Sequence, residues 1–421
     1  MTGPLWVSLP DGWQTGQVKN AATVTLGKML QSKDSGSDVI APYMRAANVQ
    51  PDGLMALDDV NEMWFSATEL EKLRIRKGDV VVVEGGQGGF GRAAYVDENL
   101  PGWGFQNSIN RLRPIGDADG RFIAFYLIAL RASGFLRAYS NVVSMPHLTA
   151  EKLARIPLPL PPAEYQRAVC DYLDHETARI DTLIQEQQRL IEMLRKRRLD
   201  LLRAAVLGSA NPFSPPPEMA FTAIGHHFSV TLGKMLDAGK AIRTADQTLP
   251  YIRAGNIQDA GLKLDDVNHM PYSEAEAANL NLLKGDLLVV EGGAVGTNVL
   301  LLEDMHGWSF QKTVNRLRPH NNWSSGWLGY VLQTYRDIGV LDIVCNKSTI
   351  PHLTAEKLRA LRVPSVDPTE QVRVEAILDR ETAKIDVLIA ETERFIELSK
   401  ERRLALITAA VTGQIDVRER A

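Results

Sequence analysis

Between Glu164 and Leu207 the chain carries neither glycine nor proline, and apolar residues return at Leu173, Ile180, Leu183, Leu190, Leu194 and Leu201. Spacings of three, four and seven predict one long amphipathic helix with a coiled-coil-like seam. At 1.5 Å per residue, about 40 residues span roughly 60 Å. A later run places Leu378, Ile385, Leu388, Phe395 and Leu406 on one face of a second such helix. Pro-rich turns, PLPLPP at 157–162 and VPSVDP at 363–368, precede the two helices, and Gly208 and Gly413 follow them, where a terminal glycine is expected. A helix this long with a single apolar stripe does not stand alone in water. The two are therefore expected to pack on each other as a spacer. Gln187 and, at the equivalent place, Thr392 fall in the seam. A polar residue there either fixes register or faces water at a helix crossing, and the sequence leaves both readings open.

The segment before each helix mixes short β-branched runs with Gly, Asn and Asp turns, which predicts an α/β (α+β) globule with several strands. The chain is written twice. VTLGKML at Val24 returns at Val230, RAANVQ at Arg45 returns as RAGNIQ at Arg253, and LDDVN at Leu57 returns at Leu264. GDVVVVEGG at Gly78 returns as GDLLVVEGG at Gly285, GWGFQNSINRLRP at Gly102 as GWSFQKTVNRLRP at Gly307, and PHLTAEKL at Pro146 recurs at Pro351. The offset stays within 205–208 residues, far longer than a solenoid period. This is the duplication of one large unit. The expected organisation is a first globule over 1–145, a first helical region over 146–210, a linker over 211–217, a second globule over 218–350 and a second helical region over 351–421.

Composition narrows the function only a little. With 421 residues, 45% hydrophobic and 23% charged, the chain is ordinary globular material for two to four domains. A net charge of −4 neither demands nor excludes a polyanionic partner. Two distant cysteines, Cys170 and Cys345, argue against a disulfide framework or a structural zinc site. The N-terminal stretch lacks the basic and apolar regions of a secretory signal, and no run reaches the length of a membrane span. A cytoplasmic protein without membrane association is expected.

One motif suggests an enzyme. Gly86-x-Gly88-x-x-Gly91 follows the run Val81–Val83 and matches a dinucleotide-binding fingerprint. The sister copy tests it: Gly88 and Gly91 become Val295 and Asn298, and no helix follows to offer its N-terminus to a phosphate. Strand, glycine turn, strand is the better reading, with small residues allowing close approach of a backbone. Arg92 then sits at the tip or on the second strand. His147 and His352, in the identical PHLTAEKL, read as packing or capping residues, and Asp58–Asp59 and Asp265–Asp266 as solvated turns. No nucleotide-binding lysine loop, metalloprotease helix, nucleophile elbow or metal-spaced Cys/His pair occurs.

The ordered, duplicated set formed by LPDGW, the GD(V/L)(V/L)VVEGG hairpin, FQxxxNRLRP, PHLTAEKL, the Pro-rich turn, LDxETA(R/K)IDxLI, RRL and the terminal AAVTGQIDVRE resembles the specificity subunits of type I restriction–modification enzymes. The resemblance covers nearly the whole chain. It implies two target-recognition domains, each reading one half of a bipartite, gapped DNA site, and two long helices packed as an antiparallel coiled coil with internal pseudo-two-fold symmetry. Helix length would set the gap. It implies a non-catalytic chain that needs no cofactor of its own. Two modification subunits would bind S-adenosylmethionine and methylate adenine, and restriction subunits would use ATP and Mg. The alternatives are a related methylation-only or other defence system, or a scaffold that binds protein.

Base edges are read best by Arg on guanine and by Asn or Gln on adenine. The repeated polar set supplies Arg45, Asn48 and Gln50 with Arg253, Asn256 and Gln258, then Gln106 and Asn110 with Gln311 and Asn315. Arg111 and Arg113 pair with Arg316 and Arg318, and Lys28 with Lys234. These are candidate contacts to double-stranded DNA, on bases or phosphates. The copies differ at the hairpin tip, where Gln87 and Arg92 stand against Ala294–Val299 with Asn298, and at Asn107 against Lys312. The likeness of the two globules predicts related half-sites in inverted orientation, and these differing positions are where any difference between half-sites would be read.

Overall fold

The computed structural model describes residues 3–86, 88–140, 146–208, 219–235, 246–345 and 351–419. The chain divides into two compact units, Met1–Gln187 with Arg394–Ala421, and Gln188–Glu393. The division cuts both long helices near their middles rather than setting them apart as a separate spacer. Each unit is a globule plus one half of each helix.

In the first unit a four-stranded antiparallel sheet has the order Ala22–Leu26, Ile109–Pro114, Val80–Val83, Ala93–Tyr95. A three-stranded sheet of Asn61–Phe65, Val39–Met44 and Gly104–Phe105 lies beside it. Strand Val80–Val83 is buried on both faces, which is why it reads as an unbroken valine run. Val80 and Val82 face the helix Gly120–Ala132 and the long helix, in one core with Phe122, Leu127, Val169 and Leu173. Val81 and Val83 face a second core with Met44, Phe105 and Ile109.

The second unit repeats this plan. Its main sheet runs Phe228–Leu232, Val314–Pro319, Leu287–Val290, Asn298–Leu300, and its smaller sheet Asn268–Tyr272, Gln247–Ile252, Ser309–Phe310. Register is kept: Val81 faces Arg111 and Val82 faces Asn110 in one copy, Leu288 faces Arg316 and Val289 faces Asn315 in the other.

The Pro-rich turns are not turns. Pro157–Leu160 is a strand paired antiparallel with Gln14–Gln17, and Arg362–Pro364 pairs in the same way with Phe221–Ala223. A two-stranded ribbon has a free edge on which proline's missing N–H costs nothing. These strands pair with segments of the globules, and the first long helix begins at Ala163, behind Pro161 and Pro162. The second begins at Pro368, where the fixed φ suits a first helical turn, and Asp367 accepts from Thr369 N–H. The helices end at Leu207 and Val411, and Gly208 and Gly413 hold φ of 62° and 70°.

Both helices are continuous, at 45 and 44 residues. Within the first unit, Asp181 pairs with Arg403 while Tyr165, nearer the start of its helix, bonds Asp416 beyond the end of the other, an antiparallel arrangement. Within the second unit, Arg195–Glu393 and Arg198–Asp386 run the same way.

The seam differs from the heptad reading. Leu190, Leu388 and Phe395 are largely exposed, while Ile180, Ile191 and Leu202 are buried on the first helix and Ile385, Ile396 and Ile407 on the second. Those positions are eleven residues apart. Eleven residues over three turns is 3.67 per turn, which stays on one face of a nearly straight helix where a heptad drifts off. Thr392 is buried, and its hydroxyl donates to the Leu388 carbonyl, so it is satisfied within its own helix; Gln187 is half-buried. Ile396→Ala is expected to cost about 2–3 kcal/mol and Phe395→Ala, one residue away, less than about 1 kcal/mol, in urea denaturation. A heptad seam would reverse that order.

Cys170 and Cys345 are buried, one in the core of each unit, and burial pushes both thiols above their ordinary range.

Candidate nucleic-acid interface

In each unit several loops meet at one end of the main sheet. The Glu84 N–H donates to the Ser108 carbonyl, the Asn107 N–H to the Lys28 carbonyl, and the Leu148 N–H to the Glu84 carbonyl. Gly85 is bridged to His147. The second unit repeats each contact with Glu291 and Thr313, Lys312 and Lys234, Leu353 and Glu291, Gly292 and His352. The glycine stretch is the expected hairpin, closed by Gly91 N–H to Val83 O and joining Val80–Val83 to Ala93–Tyr95. Gly86 and Gly88 have left-handed φ of 103° and 81°, with no heavy atom within 4 Å of a Cβ placed there. The tip is open to an incoming surface. Gln87 lies outside the described residues.

Gly27 and Gly233 serve close approach instead. A Cβ on Gly27 would lie 2.2 Å from the Gln106 carbonyl oxygen, and one on Gly233 2.4 Å from that of Gln311. Side-chain-free backbone there lets Lys28 and Lys234 run beside Gln106 and Gln311. The histidines pack, as the sequence suggested: a Cβ on Gly85 would sit 2.7 Å from His147 Nδ1.

Much of the repeated polar set holds the fold. Asn110 and Asn315 are fully buried and donate to the Leu148 and Leu353 carbonyls, tying sheet to loop. Arg111 is buried, donates to the Lys72 and Arg74 carbonyls and lies over the Phe105 ring; burial pushes its guanidinium down to about 10. Arg316 donates to the Asn281 carbonyl and lies over the Phe310 ring. Arg113 and Arg318 each grip a buried aspartate with two nitrogens, Asp79 at 2.7–2.8 Å and Asp286 at 2.6–2.7 Å. Asn48 and Asn256 are buried and close the turns around Arg45 and Arg253. These eight residues were expected at a DNA face. The NRLRP strand is buried at its Asn and first Arg, which satisfy backbone carbonyls inside the globule, while its second Arg, half-buried, pairs with an aspartate.

The remaining candidates divide further. Lys28 and Lys234 are half-buried and paired with Glu69 and Glu276, each of which also caps a short helix through Ser66 or Ser273. Those bonds hold both carboxylates low, Glu276 at about 2. This stabilisation is present above the ordinary carboxylate pKa and fades as pH falls towards 2. Arg45 and Arg253 pair with the exposed Asp59 and Asp266. Asn298 donates to the Gly296 and Gly329 carbonyls, and Arg92 to Val49. Gln106 and Gln311 stay half-exposed beside Ser108 and Thr313, Gln50 is half-exposed, and Gln258 is exposed. Asn107 is half-exposed and Lys312 exposed.

Two features escaped the sequence reading. Met29 and Met235, in the identical VTLGKML segments, are 75% and 61% exposed on this end of the sheet. Glu84 and Glu291 are half-buried beside the histidines, and burial raises both carboxylates. The repeated KM and EGG strings were the available signals.

Among the described residues no group of three His, Cys, Asp or Glu is placed to hold a metal ion, and no helix is long and apolar enough to cross a membrane.

Residues 10–193 match the family model of the type I restriction modification DNA specificity domain. The chain is 23% identical to the type I restriction enzyme StySPI specificity subunit of Salmonella potsdam over 67% of its own length and 62% of the relative's. It is also 23% identical to the EcoKI specificity subunit of Escherichia coli strain K12, over 66% and 61%. The chain thus spans about three fifths of the length of these curated relatives. Its fold is similar to a chain from a type I R-M system whose complex assembly and conformational transition have been described, with TM-score 0.76, 16% identity and coverage of 97% and 100%. It is also similar to the HsdS subunit from Thermoanaerobacter tengcongensis, with TM-score 0.54, 16% identity and coverage of 98% and 99%.

Proposed function

We propose that the chain is the DNA-recognition subunit of a type I restriction–modification system, reading a bipartite, gapped duplex site; the match of residues 10–193 to the specificity-domain model and the likeness to two specificity subunits support this. One observation supports this most: the same polar, glycine-opened loop end is built twice, on two globules of equal topology. Two such ends suit two half-sites. In this reading the chain does no chemistry. Modification subunits docked on it bring S-adenosylmethionine and methylate adenine, and restriction subunits bring ATP and Mg. The work is cytoplasmic.

Mutual steering by charge is weak in this reading, since each globule is close to charge balance and partner subunits supply part of the positive surface. The two helices act as the spacer. Inserting eleven residues into both keeps the buried positions in phase and adds about 16 Å. The gap in the recognised site is expected to lengthen by about five base pairs at 3.4 Å each, with both half-sites unchanged.

The direct test is to co-express the chain with the methyltransferase subunit encoded beside it and sequence the methylated adenines. A gapped motif that appears only with this chain supports recognition. A stable complex with no new motif favours a scaffold and overturns the reading.

A further inference from the structure

Outside the hairpin tip and the loop after Met29, the two loop ends match closely in side chains. Lys28, Met29, Glu84, Gln106 and His147 are met by Lys234, Met235, Glu291, Gln311 and His352. The contacts that aim them match as well. The Asn107 and Lys312 N–H groups donate to the Lys28 and Lys234 carbonyls at 2.8 and 2.9 Å. Ser108 and Thr313 hydroxyls lie 3.4 and 3.3 Å from the side-chain oxygens of Gln106 and Gln311. An identical frame presenting identical groups offers the same pattern of donors and acceptors.

The copies differ at the hairpin tip, in the loop after Met29 and at one turn. Val295 turns inward against the core of its unit, where Gly88 has no side chain, and Ala294 has no hydrogen-bonding group. The polar loop after Met29 closes on itself, with Gln31 donating to Asp38, Ser35 and the Lys33 carbonyl. Its counterpart over 236–245, like Gln87, lies outside the described residues. Phe90 and Val299 pack on the cores, Thr297 is buried, Arg92 donates to the Val49 carbonyl and Asn298 to the Gly296 and Gly329 carbonyls. Among the described residues that leaves Asn107 against Lys312. They occupy the same position of the same turn, and neither side chain has a hydrogen-bond or ion-pair partner among the described residues.

We propose that Asn107 and Lys312 are specificity-determining residues, so that the two half-sites differ at the base pair this turn meets, adenine where Asn107 reads and guanine where Lys312 reads. The proposal rests on the DNA-recognition reading above. An Asn amide both accepts from adenine N6 and donates to N7, while a Lys ammonium donates to guanine O6 and N7. Neither side chain satisfies the other purine equally, and one such contact discriminates by roughly tenfold to a hundredfold.

The experiment is the methylated motif of the full chain with its methyltransferase subunit, compared with Asn107→Lys and Lys312→Asn. The wild-type motif is expected to carry adenine at that position of one half and guanine at the matching position of the other. Asn107→Lys converts the adenine half to guanine, Lys312→Asn converts the guanine half to adenine, and each single variant makes the halves alike at that position. The reciprocal pair guards against one variant failing to fold. A gapped motif with unrelated halves overturns this inference and leaves the recognition reading standing. So does an unchanged motif methylated more weakly throughout, which makes both residues backbone contacts. No motif at all overturns both.

Discussion

Arg113→Ala is expected to destabilise the protein by about 3–5 kcal/mol, the range for removing one partner of a buried ion pair. Asp79 is nearly sealed from water, and among the described residues its carboxylate has, beyond Arg113, only the Arg76 N–H. The guanidinium supplies two of the bonds that offset the desolvation of that charge. Without it an ionised carboxylate is stranded at the edge of the main sheet. Arg318→Ala should act equally on the second unit through Asp286. Arg155→Ala breaks an exposed pair with Glu151 and should stay within about 0.5 kcal/mol. Urea denaturation reads all three, and an Arg113→Ala cost as small as that of Arg155→Ala would remove the structural role given to this pair.

Gly27→Ala is expected to cost about 3 kcal/mol or more and to abolish the recognition motif. The methyl group would meet a backbone carbonyl at 2.2 Å, with no flexible side chain to move aside. Overpacking of side chains usually costs 1–3 kcal/mol, and a backbone clash sits at or above the top of that range. Relief requires the Lys28 strand to part from Gln106, which dismantles the loop end. Gly12→Ala is the control, since only its left-handed φ of 84° opposes a side chain, a penalty of about 1 kcal/mol. A Gly27→Ala chain as stable as wild type, with its motif intact, would show that the close approach is dispensable.

How far the sequence reveals this molecule depends on the interaction involved. The long helices are legible because the absence of Gly and Pro is local information, and the first runs from Ala163 to Leu207, one residue from its expected start. Their seam is not legible in the same way. A seven-residue and an eleven-residue spacing share many positions over a few turns, and only burial separates Ile396 from Phe395. The hairpin of VVVEGGQGGFGR was legible through its failed fingerprint in the sister copy. The polar set was misread for a physical reason. In NRLRP the alternation of polar and apolar residues looks like a half-exposed strand, yet Arg111 and Asn110 are closed over by loops distant in sequence. Side-chain chemistry suited to base edges is equally suited to backbone carbonyls, and spacing alone cannot tell which partner is present. Pro157–Leu160 was read as a turn because proline usually marks one, while its strand partner lies at Gln14–Gln17, far back along the chain.

The two buried cysteines give the chain a built-in pair of reporters. Each unit holds a single thiol, Cys170 in one and Cys345 in the other, shielded and kept protonated by burial. Alkylating reagents attack thiolates, so modification waits for local opening. Pulsed labelling followed by mass analysis of the two peptides would time the opening of each unit separately in the unmodified protein. DNA carrying one half-site would then be seen to slow one clock and not the other.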